Sequence, residues 1–499
     1  MRSLVALLAL LAAAPAAWGE DATIVVLHTN DIHGQLRPLP ASPSRAVLRG
    51  QPAGGFIHLA LMVRGEREAA RRMNASVLLL DAGDLFQGTP VGNETRGDAV
   101  IDVMNALGYD AAALGNHEFD YGVRNLVRLA KRARFPILCA NASRVEGTLA
   151  PVVASTTVAR AGLTIALIGV ITPDTPQVTT PDLTGKVRFS DPVPAVKALV
   201  KETEADLFIV VSHLGTAGEL RLAREVPQLT LIVGGHSHAP LQRKIGSVTI
   251  ARTHARTLSL GRVAIDVDKT TKRVRRVAAR LLPVDAMMPY DPAIAAIADR
   301  HRAVLDKALK KVVGRLAAPA RRRGGLFSSA AGNWTSDVIR RAGKAAIGIM
   351  NKGGLRADLE AGAVRASDCY RLMPFDNTIV SMDLTGAGVR KLIEKHLSSG
   401  GYPALEWSGM RVFVTRSDQA WRIDKIEVGG EPLAADKTYR VATNSFLARG
   451  GDGYATFQNG KKRGKTGTLL RDALAADLEA RSPLTPPTEE RLALSVPAR

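Results

Sequence analysis

Short apolar runs separated by polar, glycine-bearing loops dominate the first half of the chain. They fall at 24–27, 77–80, 111–114, 136–140, 163–171, 207–211 and 229–233. Several are rich in Val and Ile, the composition of strands buried on both faces. Stretches of helical spacing lie between them, as in Gly55–Arg72 and Val123–Arg134. Strands alternating with helices predict an α/β domain over residues 20–288. Asp291-Pro292 then offers a helix cap and a first helical residue. Apolar residues recur at Ile294, Ile297, Val304, Leu305, Leu309 and Val312, so the spacing predicts a helix linking two domains within 289–313. A second domain with its own turn signals is expected over 314–478, followed by a tail at 479–499.

The polar segments after the runs carry the candidate chemistry. They read His28-Thr29-Asn30-Asp31-Ile32-His33-Gly34, Asp81-Ala82-Gly83-Asp84, Gly115-Asn116-His117-Glu118-Phe119-Asp120, Ser212-His213 and Gly234-Gly235-His236-Ser237-His238. In open α/β sheets the loops at the carboxyl ends of strands converge on ligands. Asp31 and His33, like His236 and His238, stand two residues apart, a spacing that points both side chains one way in extended chain. Asp84 has two carboxylate oxygens and can bridge two cations. Carboxylate, amide and imidazole donors without thiolates suit Mn, Zn, Fe or Mg. The donors are too many for one tetrahedral ion, so two divalent ions are the economical reading. Two such ions about 3.5–4 Å apart clamp the attacking and leaving oxygens of a phosphoryl transfer and generate hydroxide at neutral pH. Any one of these histidines alone reads as a structural residue; five loops in order reverse that weight. His28, His58, His254, His301 and His396 have no such context and read as structural or surface residues.

Composition narrows the class. The 499 residues are 46% hydrophobic, ample for a packed core and unlike a disordered chain. Two cysteines exclude a disulfide scaffold, and Cys139 in an apolar run reads as core, unpaired with Cys369. The formal charge of +20 marks a partner of anions. From Lys269 to Lys344 there are 18 Lys/Arg against 5 Asp, so much of the excess lies away from the metal loops. At the N-terminus, Met1-Arg2, an apolar run Leu4–Leu11 and small residues through Gly19 read as a cleaved signal peptide, 1–19, and a periplasmic or secreted protein. No transmembrane segment is expected, nor a specific nucleic-acid site.

These motifs together resemble the calcineurin-like metallophosphatases, closest to the secreted 5′-nucleotidase and UDP-sugar hydrolase branch. The second half adds Asn351-Lys352-Gly353-Gly354-Leu355-Arg356, Pro374-Phe375-Asp376-Asn377 and Asn444–Tyr454. The resemblance implies two mixed β-sheets flanked by helices, joined by a helix to an α+β substrate-binding domain. It implies that Asp31, His33, Asp84 and His238 hold one metal, and Asp84, Asn116, His213 and His236 the other. His117 would face the substrate phosphate, with Asp120 raising its basicity. Phe375 and Phe446 would sandwich a base, Asp452 would accept from ribose hydroxyls, and Asn351 and Arg356 would reach base or phosphate. In relatives a Gln often stands at His238, glycines stand at Lys352 and Asp376, and arginines precede the segment matching Ser328–Asn333. Arg321, Arg322 and Arg323 are the nearest arginines here.

The expected activity is release of phosphate from nucleotides by direct attack of metal-activated hydroxide, with nucleotide-sugar pyrophosphates as further substrates. A 2′,3′-cyclic nucleotide phosphodiesterase with 3′-nucleotidase activity is the alternative on the same site. An extracellular polyanion-binding protein with a vestigial site is the reading from another class.

Overall fold

The computed structural model describes residues 21–495 except 43–46, 180–183, 185, 304, 306–308, 324–326, 399–404 and 417–419. The leader expected at 1–19 lies outside the described residues.

Two six-stranded mixed sheets form the first half. In one, Asp21–Thr29, Ser76–Asp81, Ala111–Ala113 and Ile137–Leu138 run parallel, and Ser259–Asp268 and Val274–Pro283 add antiparallel strands at the edge. In the other, Leu163–Ile171, Leu207–His213, Leu231–Gly234 and Val248–Arg252 are parallel, with antiparallel edges Ser155–Arg160 and Leu241–Ile245. Alternation along each strand explains the layers. Ile24, Val26, Leu78 and Leu80 pack between the sheets against Ile165, Leu167, Ile209 and Val211. Val25, Leu27 and Leu79 face outward onto Phe56, Leu59 and Val63 of the helix Phe56–Arg72. On the far side Val210 and Ile232 meet Val193, Val196 and Leu222 of two further helices. Strands covered on both faces need apolar side chains at every position, hence the uninterrupted runs.

The junction differs from its expectation. Pro292–Ala303 is helical, and Asp291 caps it by accepting the N–H groups of Ala293 at 2.9 Å and Ile294 at 3.1 Å. Val312 and Val313, however, begin a strand, Val312–Leu316, paired antiparallel with Gly362–Arg365. The second half holds a five-stranded sheet ordered Leu405–Ser408, Ile347–Asn351, Thr438–Asn444, Thr378–Thr385 and Lys461–Leu469. Trp334, Val338 and Leu474 cover one face; Leu392 and Ile393 cover the other. The expected tail is built in: the helix Leu470–Arg481 runs past 478, and Leu492–Leu494 pairs parallel with Met410–Arg416. Arg491 anchors that strand through Asp337 and the Trp407 carbonyl. Both cysteines are buried and free.

Candidate active site

The polar loops converge at the carboxyl ends of the parallel strands. Asp31, His33, Asp84, Asn116 and His213 are buried, and His236 and His238 close the cluster from the cleft side. Two sets of donor atoms lie within 4.8 Å of one another: Asp31, His33, Asp84 and His238, and Asp84, His213 and His236. Asp84 belongs to both. Asn116 Oδ1 joins the second set, 3.1 Å from His236 Nδ1.

Backbone conformation aims these donors. Asp31, His33, Asp84, His236 and His238 all have φ between 49° and 72°. Left-handed backbone is costly for residues with a Cβ, so its concentration here marks a geometry held for function. The holding contacts are visible. Asp31 N donates to Gly83 O at 2.9 Å, and His236 N donates to the Asp31 carboxylate at 3.0 Å. Gly83, at φ 89°, and Gly115 allow two loops to touch: a Cβ on Gly115 would lie 2.3 Å from Asp84 Oδ1.

The histidine tautomers are set by backbone carbonyls. His33 Nδ1 donates to Gln87 O at 2.7 Å and His213 Nδ1 to Ala82 O at 2.6 Å, which leaves each Nε2 lone pair facing inward. His213 Nε2 is buried without a hydrogen-bond partner, 3.2 Å from Asp84 Oδ2. Buried imidazole and carboxylate donors with an orphaned lone pair fit divalent cations. A cation held there would displace a proton from His213. Burial disfavours the imidazolium of His213, but Asp84 overrides it and pushes the pKa to about 10. Burial, then Arg356, hold His33 and His238 well below the usual histidine range.

His117 stands beside the cluster, its Nε2 4.0 Å from Asp84 Oδ2 and its Nδ1 2.6 Å from Asp120 Oδ2. Burial opposes its charge, yet Asp120 and Asp84 outweigh burial and raise its pKa. Thr179 fixes Asp120 through the other oxygen.

The second half closes over this centre in a cleft of about 1550 Å³ lined by both domains. Arg356 Nη2 stands 3.3 Å from His33 Nε2 and 3.4 Å from His238 Nε2. Phe375 packs 5.7 Å from the His117 ring, centre to centre. Asn351 Nδ2 donates to Asp452 Oδ2 at 2.8 Å, and Phe446 lines the same cleft with its ring against Gly451. Burial raises Asp452 to about 6. Of the departures, Asp376 accepts from Arg471 at 2.6 Å and from Tyr121 at 3.2 Å, and Lys352 turns to the Phe327 carbonyl and Glu406. Arg321 pairs in fork fashion with Glu360 and Arg322 meets Asp358, while Arg323 is exposed at the cleft. Of the histidines read as structural or surface residues, His254 also lines the cleft.

Sequence reasoning missed the supports. Glu118 accepts from the N–H groups of Asp84, Leu85 and Gly115 at 3.0, 2.8 and 2.7 Å. Burial raises it to about 7. Its place inside the Gly115–Asp120 motif was the available signal. Glu219 and Arg252 form a buried ion pair at 2.9 Å that also binds Gly235 N and Ala239 O, flanking the His236–His238 loop. Nothing in their local sequence singles them out.

A sandwich with a buried two-lobed His/Asp cluster at its strand ends is the architecture of a metal-dependent phosphoester hydrolase. The calcineurin-like phosphoesterase family model matches residues 24–240 and the 5′-nucleotidase C-terminal domain model matches 311–459. The chain belongs to the calcineurin-like phosphoesterases, in the branch that carries that C-terminal domain. It is 28% identical to a 5′-nucleotidase of Bos taurus, covering 95% of this chain and 91% of that one. Protein UshA of Escherichia coli is 27% identical over 94% of this chain and 93% of its own. The crystal structure of a 5′-nucleotidase precursor from Thermus thermophilus superposes with a TM-score of 0.84 at 27% identity, covering 95% of this chain and 99% of that one.

Proposed function

We propose that this protein is a 5′-nucleotidase that also accepts nucleotide-sugar pyrophosphates. One observation carries the reading: Arg356 of the substrate domain reaches His33 and His238 of the catalytic domain, so base-side and phosphate-side residues share one cleft. The catalytic unit lies within residues 21–288, and the substrate unit runs from the strand that begins at Val312 to the one that ends at Leu494. Asp31, His33, Asp84 and His238 hold one divalent ion; Asp84, Asn116, His213 and His236 hold a second. When bound, these ions supply Lewis acidity and activate water at neutral pH. The chain's own residues do the rest. Arg356 neutralises and orients the phosphate. His117, kept protonated by Asp120, presents an N–H to the leaving oxygen. Phe375 and Phe446 flank the base, Asn351 hydrogen-bonds its edge, and Asp452 accepts from ribose hydroxyls.

The leader-like residues 1–19 support a periplasmic or secreted enzyme. No helix among the described residues is long and apolar enough to cross a membrane.

The test is hydrolysis of AMP, UDP-glucose and 2′,3′-cyclic AMP by the metal-supplemented enzyme, with nucleoside, monophosphate and inorganic phosphate products resolved separately, beside Asp84→Ala and His117→Ala. Turnover of AMP, lost in both variants, is expected. Hydrolysis of the cyclic nucleotide with none of AMP would overturn the substrate assignment. Wild-type protein that takes up no metal would overturn the metal reading.

A further inference from the structure

The loop between strands Val248–Arg252 and Ser259–Asp268 is pinned to the metal-ligand loops. Arg256 N donates to Asp31 O at 2.8 Å, and Ala255 N donates to His238 O at 3.3 Å. Arg256 and Thr257 both adopt left-handed backbone, φ 58° and 57°, a conformation that is unfavourable for residues with a Cβ. Several contacts hold the turn in place. Thr257 Oγ1 receives the Gly55 N–H at 2.7 Å and donates to Arg256 O at 2.6 Å. Gly54 approaches so closely that a Cβ there would lie 2.9 Å from the Arg256 carbonyl. Strain kept at two adjacent residues beside a reaction centre fixes where the Arg256 side chain goes.

That side chain crosses between domains. Arg256 Nη2 donates to the carbonyl oxygen of Arg356 at 2.8 Å. On its other side, Arg356 N donates to Leu372 O at 2.8 Å. The Arg356 backbone is thus held from both domains. Its guanidinium lies 5.7 Å from the centre of the Phe375 ring and beside the Nε2 atoms of His33 and His238. Arg321 and Arg322 are engaged by Glu360 and Asp358, and Ser328–Asn333 carries no arginine. The aim of Arg356 therefore carries more weight.

We propose that Arg256 is a positioning residue: from the catalytic domain it locks Arg356 into the orientation that meets the substrate phosphate in the closed cleft. This rests on reading Arg356 as a phosphate contact. Because the link is one N–H to a carbonyl, a lysine of similar reach should largely replace it.

The test is a double-mutant cycle on the full, metal-loaded chain with Arg256→Ala, Arg356→Ala and both, plus Arg256→Lys. It is read as KM and kcat for AMP and p-nitrophenyl phosphate, and as affinity for inorganic phosphate by calorimetry. Arg256→Ala is expected to raise both KM values and weaken phosphate binding by about tenfold, the scale of one such hydrogen bond. Its effect on kcat should be smaller, and Arg256→Lys should restore most of the loss. In the Arg356→Ala background, Arg256→Ala should change nothing further. Equal losses in both backgrounds, or unchanged KM and phosphate affinity, would overturn the proposal. Should the alanine variant fold poorly, Arg256→Gln takes its place in the cycle. Turnover of p-nitrophenyl phosphate without AMP removes the nucleotide reading alone and leaves the coupling measurable. A silent Arg356→Ala removes the phosphate-contact reading, and the proposal with it.

Discussion

Glu118 holds the Asp84 peptide: its Oε2 accepts the Asp84 N–H at 3.0 Å and the Gly115 N–H at 2.7 Å, while Oε1 accepts from Leu85 at 2.8 Å. One buried side chain thereby joins the loop bearing the shared donor Asp84 to the loop bearing Asn116 and His117. Glu118→Ala leaves three buried N–H groups without acceptors, so a stability loss of about 3 kcal/mol or more is expected. Metal content should fall with it. Urea denaturation and elemental analysis check both, and full metal occupancy in the variant would show that Asp84 is positioned by other means.

His117 and Asp120 make a prediction about pH. Burial opposes the imidazolium, but the carboxylates of Asp120 and Asp84 raise the His117 pKa. A raised pKa keeps the donor protonated at lower pH and loses it as pH climbs through that value. Asp120→Asn removes part of the support, so the alkaline limb of the kcat profile should move to lower pH. His117→Ala should reduce kcat by about 10²–10⁴-fold while metal content stays near wild type. An alkaline limb unmoved by Asp120→Asn would assign it to another group.

Metal uptake should release protons. Without metal, Asp84 holds His213 protonated up to about pH 10, and a metal ligand must be neutral imidazole. Apparent affinity for Mn or Zn should therefore tighten between pH 6 and pH 8, by about tenfold per pH unit for each proton released. Calorimetry in buffers of different ionisation enthalpy counts the protons. Affinity independent of pH would mean that His213 is already neutral in the free protein.

The catalytic half was legible because its physics is local. Strands buried on both faces force apolar runs, and the candidate ligands sit in the loops that end them. Glu219 and Arg252 were illegible because they lie 33 residues apart and become a pair only when a helix packs on a strand. Val312 fits the helical spacing, but pairing with Gly362–Arg365 draws it and the β-branched Val313 into a strand. In the last segment, Leu484 and Leu492 are buried but too sparse to announce a packed element. The roles of Arg321 and Arg322 depended on Glu360 and Asp358, which follow them by more than thirty residues.

A third titration lies far from the metal loops. Burial, then Lys352, lower His396 to about 4, and its Nδ1 accepts the Leu405 N–H at 3.0 Å. With a folded pKa below the unfolded one, this histidine contributes stability above about pH 6.5 that is lost as pH falls toward 4. Buried Glu219 and Asp81, both raised to about 7, pull the other way. The informative quantity is thus the difference between wild type and His396→Gln. That difference should shrink by up to about 1.4 kcal/mol per pH unit across the window. A difference constant with pH would show that His396 does not titrate on unfolding.

The proposed base sandwich of Phe375 and Phe446 can be tested apart from the phosphoryl chemistry. Phe375 packs beside the His117 ring, and Phe446 lines the same cleft from the short helix Ser445–Ala448. Base stacking is worth about 1–3 kcal/mol per ring removed, so Phe375→Ala and Phe446→Ala should each raise KM for AMP by about 5- to 150-fold. Phe446 packs against Gly451 of its own domain, so hydrolysis of p-nitrophenyl phosphate should change far less for Phe446→Ala. Phe375 also lies 5.7 Å from the Arg356 guanidinium; its loss should therefore weaken both substrates, though AMP more. Equal losses for the two substrates at Phe446 would mean that this ring shapes the cleft rather than binds a base.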